Sequence, residues 1–390
     1  MRWAIIDDGV NLEIPEIVQN IEIDRMGVVK NRTPSFSYNH ATMCFRIIQK
    51  YASALFDAVS IKILDDATHR ANKDALIAAL NWCVDNDIQL IHMSIGTTEH
   101  HDGLAIREMV ERLTKLGVVI VAANSNKGIQ TYPAYDKHVI GVECDEMLEG
   151  DQYIYTPNAL NGITFHASAR HQLLEDSSIM TPPSNSYAAP LITAKLIKLI
   201  KQMPGLSCEH AIEWLREDAV RTDENAFFTV PNSQEEAVVI VFPGLDRRNV
   251  GRLMIKLKAL FMQDGYVCTL AAKQGFLLPQ AEAIPDYLST ERYLNWAKRF
   301  FRCDVFLAAL GEGNMDMLRT HADMIITDEA CIVLGEDPPN DRVIATSIRE
   351  KGKGQSTIEL YKTIINTLSE EETTIGSANF CDAPTVRKGI

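Results

Sequence analysis

The 390-residue chain has no apolar run long enough to cross a membrane, no closely spaced cysteine pair, and fewer basic than acidic residues. Its longest apolar stretches, near 118–123, 237–242 and 305–310, fall far short of the roughly 18 residues a spanning helix needs, so no transmembrane segment is expected. Lys plus Arg number 38 against 52 Asp plus Glu, a formal charge of −14 that repels phosphate backbones and anionic lipid. Nucleic acid and membrane surfaces are therefore excluded as expected partners. The eight cysteines (Cys44, Cys83, Cys144, Cys208, Cys268, Cys303, Cys331 and Cys381) are scattered without zinc-ligand or disulfide-framework spacing, and read as reduced thiols of a cytoplasmic protein. The start, Met1-Arg2-Trp3-Ala4-Ile5-Ile6, runs directly into Asp7-Asp8, without the apolar core and cleavage site of a secretory signal.

What is present is a 46% apolar composition in a chain long enough for two domains at roughly 100–200 residues each. Short β-branched runs (3–6, 59–64, 88–93, 118–123, 139–144) alternate with helical patterns after Asn39, over 73–86 and over 104–116, which predicts a parallel sheet covered by helices. A long helix from Ser186 to about 203 and a short one over 208–217 close this first domain, 1–220. The polar stretch 221–236 reads as a linker. A second α/β unit, Rossmann-like, is expected over 237–370, with strands at 238–242, 266–270, 305–310, 324–327 and 343–347 and helices at 250–263, 290–302 and 357–368. Residues 371–390 read as a tail.

Four segments carry candidate chemistry, each with a bland alternative. Ile5-Ile6-Asp7-Asp8-Gly9 puts an Asp at the C-terminal end of a strand, where α/β proteins build sites, with a Gly that permits a tight turn; taken alone it reads first as a plain Asp-Gly turn. Asn39-His40-Ala41-Thr42 places an imidazole at a capped helix start, as a base or as a cap neighbour. The strand 118–123 runs into Asn124-Ser125-Asn126-Lys127-Gly128, where Asn126 could polarise a carbonyl or satisfy its own loop. Ser184-Asn185-Ser186-Tyr187-Ala188-Ala189-Pro190 sets Ser186 at a helix mouth, where the dipole favours developing negative charge and where a serine also serves as an N-cap.

The order Asp7, His40, Asn126, Ser186 resembles the subtilisin-like serine proteases, or subtilases, over residues 1–220 and no further. Those carry Asp-(Ser/Thr/Asp)-Gly, His-Gly-Thr, Ala-Ala-x-Gly-Asn-x-Gly and Gly-Thr-Ser-Met-Ala-x-Pro. Here the same places hold Asp7-Asp8-Gly9, His40-Ala41-Thr42, Ala122-Ala123-Asn124-Ser125-Asn126-Lys127-Gly128 and Ser184-Asn185-Ser186-Tyr187-Ala188-Ala189-Pro190. His92-Met93-Ser94-Ile95-Gly96 stands where the family has a segment like Asn-Met-Ser-Leu-Gly, and Tyr132-Pro133-Ala134 follows in order.

The resemblance implies a subtilisin-like parallel sheet with flanking helices, and a catalytic triad of Asp7, His40 and Ser186. Ser186 would attack the scissile carbonyl, His40 would take its proton and Asp7 would hold the imidazole tautomer. Asn126 would form the oxyanion hole with the Ser186 amide; losing such a donor costs that family roughly 10²–10³ in turnover. Ser94, Ile95 and Gly96 would pair with an extended substrate as an added strand, and Ala123 and Asn124 would line the primary pocket. No cofactor and no catalytic metal is implied, and a structural calcium is left open. The implied activity is that of an intracellular serine endopeptidase acting on a specific peptide or protein, such as leader-peptide removal in peptide maturation. The alternative is a catalytically weak or inactive subtilase-like module that grips peptides.

Three departures touch the motifs: Ala41 after the histidine, Ser125 before the asparagine, and Ser184-Asn185 before the serine, each adding bulk beside tight backbone. The first strand begins at once, so the signal and inhibitory propeptide of exported subtilases are expected to be missing. Control is then expected from substrate selectivity, a partner protein or the second domain. Within 237–370, the run 238–252 has the strand, loop and helix layout of a phosphate site but no Lys with Ser or Thr at the helix start. Arg247, Arg248 and Arg252 are read there as solvated, and Asp328-Glu329 and Glu336-Asp337 as surface charges. The domain is expected to recruit substrate or a partner protein.

Overall fold

β1 (Trp3–Asp7) is buried along its whole length, which only a strand covered on both faces tolerates. It pairs in parallel with β4 (Ala58–Lys62) on one side and β5 (Leu90–Met93) on the other. The computed structural model describes residues 1–52, 57–157, 159–173, 180–222, 231, 236–243, 247–276, 278, 281–286, 288–311, 318, 321–327, 330–333, 342–346 and 357–374. Contacts divide the chain into two units, Met1–Thr229 and Val230–Ile390.

In the first unit the strands are β1, β2 (Ile17–Ile23), β3 (Val29–Asn31), β4, β5, β6 (Val119–Ala123), β7 (Ile140–Cys144), β8 (Tyr153–Tyr155), β9 (Ile163–Ala167) and β10 (Arg221–Thr222). They form one ten-stranded sheet in the order β10-β8-β9-β7-β6-β5-β1-β4-β2-β3. Pairing is parallel except for the hairpin β2–β3 and the pair β8–β9. This is the α/β architecture with a large parallel sheet and flanking helices that the sequence predicts. The hairpin β2–β3 and the pair β8–β9 carry no continuous apolar run. The polar side chains of β2 (Gln19, Asn20, Glu22) disguise a strand whose Ile21 and Ile23 alone are fully buried.

Helices α1 (His40–Tyr51), α4 (Asn185–Gln202) and α5 (Cys208–Asp218) pack on one face of the sheet, over Trp3, Ile5, Leu90, Val119 and Val121. Helices α2 (Lys73–Asp85) and α3 (Gly103–Lys115) cover the other, over Ala4, Ile6, Val59, Ile91 and Ile120. The alternation of β1 residues between the two cores is the period-two pattern of a strand between two helix layers. α1 starts where the sequence places it: Asn39 is extended and its side chain accepts the Thr42 amide at 3.2 Å.

The second unit is α/β as well, with β11 (Val238–Pro243), α6 (Arg247–Gln263), β12 (Cys268–Lys273), β13 (Glu282–Ile284), α7 (Thr290–Phe300), β14 (Val305–Gly311), β15 (Met324–Ile326), β16 (Ala330–Val333), β17 (Arg342–Thr346) and α8 (Thr357–Thr374). Its sheet runs β13-β12-β14-β11-β15-β16-β17. A doubly wound dinucleotide fold would set β11 beside β12. Here β14, buried and paired on both sides, lies between them, so the strand order differs from that arrangement. The anion-loop residues 244–246, Asp328-Glu329, Glu336-Asp337 and residues 375–390 lie outside the described residues. No helix among the described residues is long and apolar enough to cross a membrane. Cys44, Cys83, Cys144, Cys208, Cys268 and Cys303 are free thiols.

Candidate active site

Two parallel-strand ends and two helix starts meet at the C-terminal edge of the first sheet. Asp7, the last residue of β1, is fully buried, and its Oδ2 lies 2.9 Å from Nδ1 of His40, the first residue of α1. Asp8 orients that helix start: its carboxylate accepts the amides of His40 (3.2 Å) and Ala41 (2.8 Å) and the Asn39 side-chain amide (2.8 Å). A carboxylate at a helix N-terminus is well placed electrostatically. Burial and the neighbouring Asp7 nonetheless push the Asp8 pKa up. The backbone turns away at Gly9 with φ +79°, where a Cβ would stand 2.9 Å from that of Lys62, so the Asp-Gly turn is also the feature that aims the site.

Burial disfavours a charge on His40, but the Cys44 sulfur and the Asp7 carboxylate bonded to the ring outweigh it and raise the imidazole pKa. Burial likewise raises the Cys44 pKa, which keeps the thiol neutral near pH 7, so Asp7 supplies the lasting charge. Asp7, His40 and Cys44 offer oxygen, nitrogen and sulfur donors within 4.8 Å of one another. Two ligands on one zinc at about 2.0–2.1 Å would stand about 3.3 Å apart. The 2.9 Å approach of Asp7 to His40 is that of a direct hydrogen bond.

Ser186 lies in the first turn of α4, and the Tyr187 ring packs on the His40 ring at 5.4 Å between centroids. Pro190 has no amide hydrogen to donate to the Ser186 carbonyl four residues earlier. That carbonyl is served instead by the Ser94 hydroxyl (3.0 Å) and the Cys44 thiol (3.4 Å). Ser94 is supported in turn by His92 Nε2 at 3.0 Å, and His92 Nδ1 meets the Thr193 hydroxyl at 2.8 Å. The Thr193 hydroxyl also reaches the Ala189 carbonyl at 3.2 Å, so its single proton serves either that carbonyl or His92 Nδ1, and the His92 tautomer follows that choice. Among the described residues the Ser186 hydroxyl makes no hydrogen bond to His40; its partner is Ser184 Oγ at 2.8 Å.

The Asn126 side chain faces the same helix mouth. Its Oδ1 accepts the Asn185 backbone amide at 2.9 Å, and its Nδ2 donates to Ser184 Oγ at 3.3 Å. Asn185 is buried and spans three segments, donating to the carbonyls of Asn124 (3.2 Å) and Ser125 (3.1 Å) and accepting the Cys144 amide (2.8 Å). Of the residues expected to meet substrate, Ser94 contacts Ser186 while Gly96 is exposed. A Cβ on Gly96 would come within 2.6 Å of the Tyr132 carbonyl, so only glycine passes there. Ala123 ends β6 in the core, and the Asn124 amide is bonded to Glu143 on β7. No motif assigns His92, Cys44 or Asp8 the contacts they make at this site. Cys44 follows His40 by one helical turn, a spacing that puts it on the same face.

Burial lowers the His92 pKa to about 3, and burial lowers that of His171 to about 4. In the unfolded chain both imidazoles take up a proton near pH 6.5, so between that pH and the folded values the unfolded state binds more protons. Stability is therefore full above about 6.5 and falls as the pH drops, by about 1.4 kcal/mol per pH unit for each group. His92→Gln, which cannot ionise, is expected to reduce the loss between pH 7 and 5 by about 2 kcal/mol, as read from urea unfolding at each pH. An unchanged acid slope would show that His92 is not held neutral.

No protein-family model and no curated protein matches the sequence. Solved structures similar to the chain include a cold-adapted subtilisin-like serine proteinase, 16% identical with a TM-score of 0.42, covering 55% of this chain and 81% of that one. A psychrophilic protease is 17% identical with a TM-score of 0.40, over 57% of this chain and 85% of that one. A lanthipeptide protease is 15% identical with a TM-score of 0.43, over 56% and 81%.

Proposed function

We propose that the first unit is a serine hydrolase of peptide bonds, with Ser186 as nucleophile, His40 as general base and Asp7 as the group that orients and charges-balances the imidazole. The observation that carries this reading is the buried Asp7 carboxylate on Nδ1 of His40, which leaves the other ring nitrogen to take a proton. The Ser186 hydroxyl would attack the scissile carbonyl as His40 Nε2 accepts its proton. His40 would then return that proton to the leaving amine, and water would release the acyl group from Ser186 by the same route. Asn126 Nδ2 and the Ser186 amide, at a helix N-terminus, would receive the developing oxyanion. Exposed Gly96 and the adjoining Ser94 and Ile95 would pair with an extended peptide as an added strand. The substrate class is then an extended segment of a peptide or protein, and removal of a leader segment inside the cell is one reaction of this kind.

A second reading, a peptide-gripping module without turnover, is favoured by one observation: the Ser186 hydroxyl is engaged by Ser184. Reaction with a fluorophosphonate, followed by mass-spectrometric mapping, separates the two. The expected result is a single adduct on Ser186 of the folded protein, lost on unfolding. A folded wild-type chain that stays unmodified after prolonged reaction and also cleaves no extended peptide would overturn the hydrolase reading and leave the binding module.

A further inference from the structure

Ser184 is the N-cap residue of α4, with extended backbone (φ −160°, ψ 145°), yet its hydroxyl makes no cap bond to the helix. Accepting an amide of the first turn is the ordinary use of a serine at that position. The hydroxyl lies instead 2.8 Å from Ser186 Oγ and 3.3 Å from Asn126 Nδ2, between the proposed nucleophile and the proposed oxyanion donor. A carbonyl oxygen under attack by Ser186 has to settle within about 2.7–3.1 Å of its donors, and Ser184 Oγ, bonded to Asn126 Nδ2 at 3.3 Å, stands against that space. The Asn126 amide has little freedom to turn elsewhere, because its Oδ1 is held by the Asn185 backbone.

Both possible proton arrangements of the pair are unproductive. If Ser184 donates to Ser186, it occupies a lone pair of Oγ; if Ser186 donates, which leaves the Ser184 proton for Asn126 Oδ1 at 3.4 Å, the proton destined for His40 points at Ser184. We infer that the Ser184 hydroxyl is a resting occupant of the oxyanion position that holds Ser186 out of attack until the substrate carbonyl displaces it. This deepens, and rests on, the hydrolase reading above. Side-chain rotation releases Asn126 Nδ2 and Ser186 Oγ together, and Ser184 is half-buried, so water can receive its hydroxyl. An extended peptide brings binding interactions remote from the scissile bond that help drive this displacement; a small reactive probe brings almost none. The device would thus make the site sluggish toward small electrophiles while leaving it open to a well-bound strand.

The test compares the rate of Ser186 modification by a small fluorophosphonate in the full-length wild type, Ser184→Gly, Ser184→Ala and Ser184→Thr, each checked for a cooperative thermal transition. Glycine suits an N-cap nearly as well as serine, and alanine retains the backbone without the hydroxyl. Loss of the hydroxyl in the Gly and Ala variants is expected to accelerate modification about 3- to 10-fold, the worth of one net hydrogen bond. Thr, which keeps the hydroxyl, is expected to react at the wild-type rate. Modification of Ser186 in Gly and Ala variants at or below the wild-type rate would overturn the resting occupant while leaving the hydrolase reading in place. Absence of any adduct in all four folded proteins would remove the hydrolase reading, and the occupant with it.

Discussion

Replacing Asp7 with asparagine is expected to lower peptide cleavage by about 10⁴-fold without unfolding the chain. Asparagine has nearly the same shape, and its Oδ1 can still accept the Asp8 amide that Asp7 Oδ1 now holds at 2.8 Å. Its other terminus is an NH₂ group, which can only donate to Nδ1 of His40. That forces the proton onto Nε2, the nitrogen that must be bare to take up the Ser186 proton. The charge that balances the imidazolium is lost at the same time. In the wild type the His40 pKa lies above the ordinary imidazole value: burial works against it, and Cys44 and Asp7 more than reverse that effect. The base form is present only above this pKa, so kcat/KM is expected to keep rising with pH beyond about 6.5, and the residual activity of Asp7→Asn to rise at lower pH. A drop of less than 10-fold in kcat, with no change in the pH profile, would show that the Asp7–His40 contact is structural.

Trp3→Ala is expected to destabilise the first unit by about 3–5 kcal/mol, measured by urea denaturation. Trp3 and Phe45 are both fully buried, and their rings stack at 5.7 Å between centroids with 12° between planes. Trp3 lies on the strand that ends in Asp7, and Phe45 on the helix that begins with His40. This pair therefore sets the separation of strand and helix on which the Asp7–His40 contact depends. Alanine would leave a cavity that the close-packed sheet above can fill only in part. Stability within 1 kcal/mol of wild type would mean that the core relaxes around the gap.

The parts of the fold legible in the sequence are those with strong local signals. The central strands are buried along their length and mostly apolar, α1 has Asn39 at its cap, and Gly9 marks the turn after Asp7. Edge strands carry weaker signals: β3 and β10 are exposed along their whole length, and nothing in β2 distinguishes its Ile21 and Ile23 from a loop crossing the surface. The order of strands in the second unit depends on which apolar run is paired on both sides, a long-range fact with no local trace. At the site, the Asp7–His40 meeting follows the motif order. The bonds of Ser184, His92 and Cys44 were not legible, because each joins residues far apart in the chain or depends on a side-chain rotamer. The reading of Asn124 as a pocket wall gave no hint of its bond to Glu143 on the neighbouring strand.

Pro190 has an effect beyond the helix that contains it. Without its amide, the peptide group of Ser186 is anchored to β5 through Ser94, not to the next turn of its own helix. The start of α4 is thereby mechanically linked to the segment on which an incoming strand would lie. In the proposed hydrolase, pressure on Ser94 from a docked peptide would be felt at the Ser186 backbone across one hydroxyl, so occupancy of the groove and alignment of the attacking oxygen would become a single event.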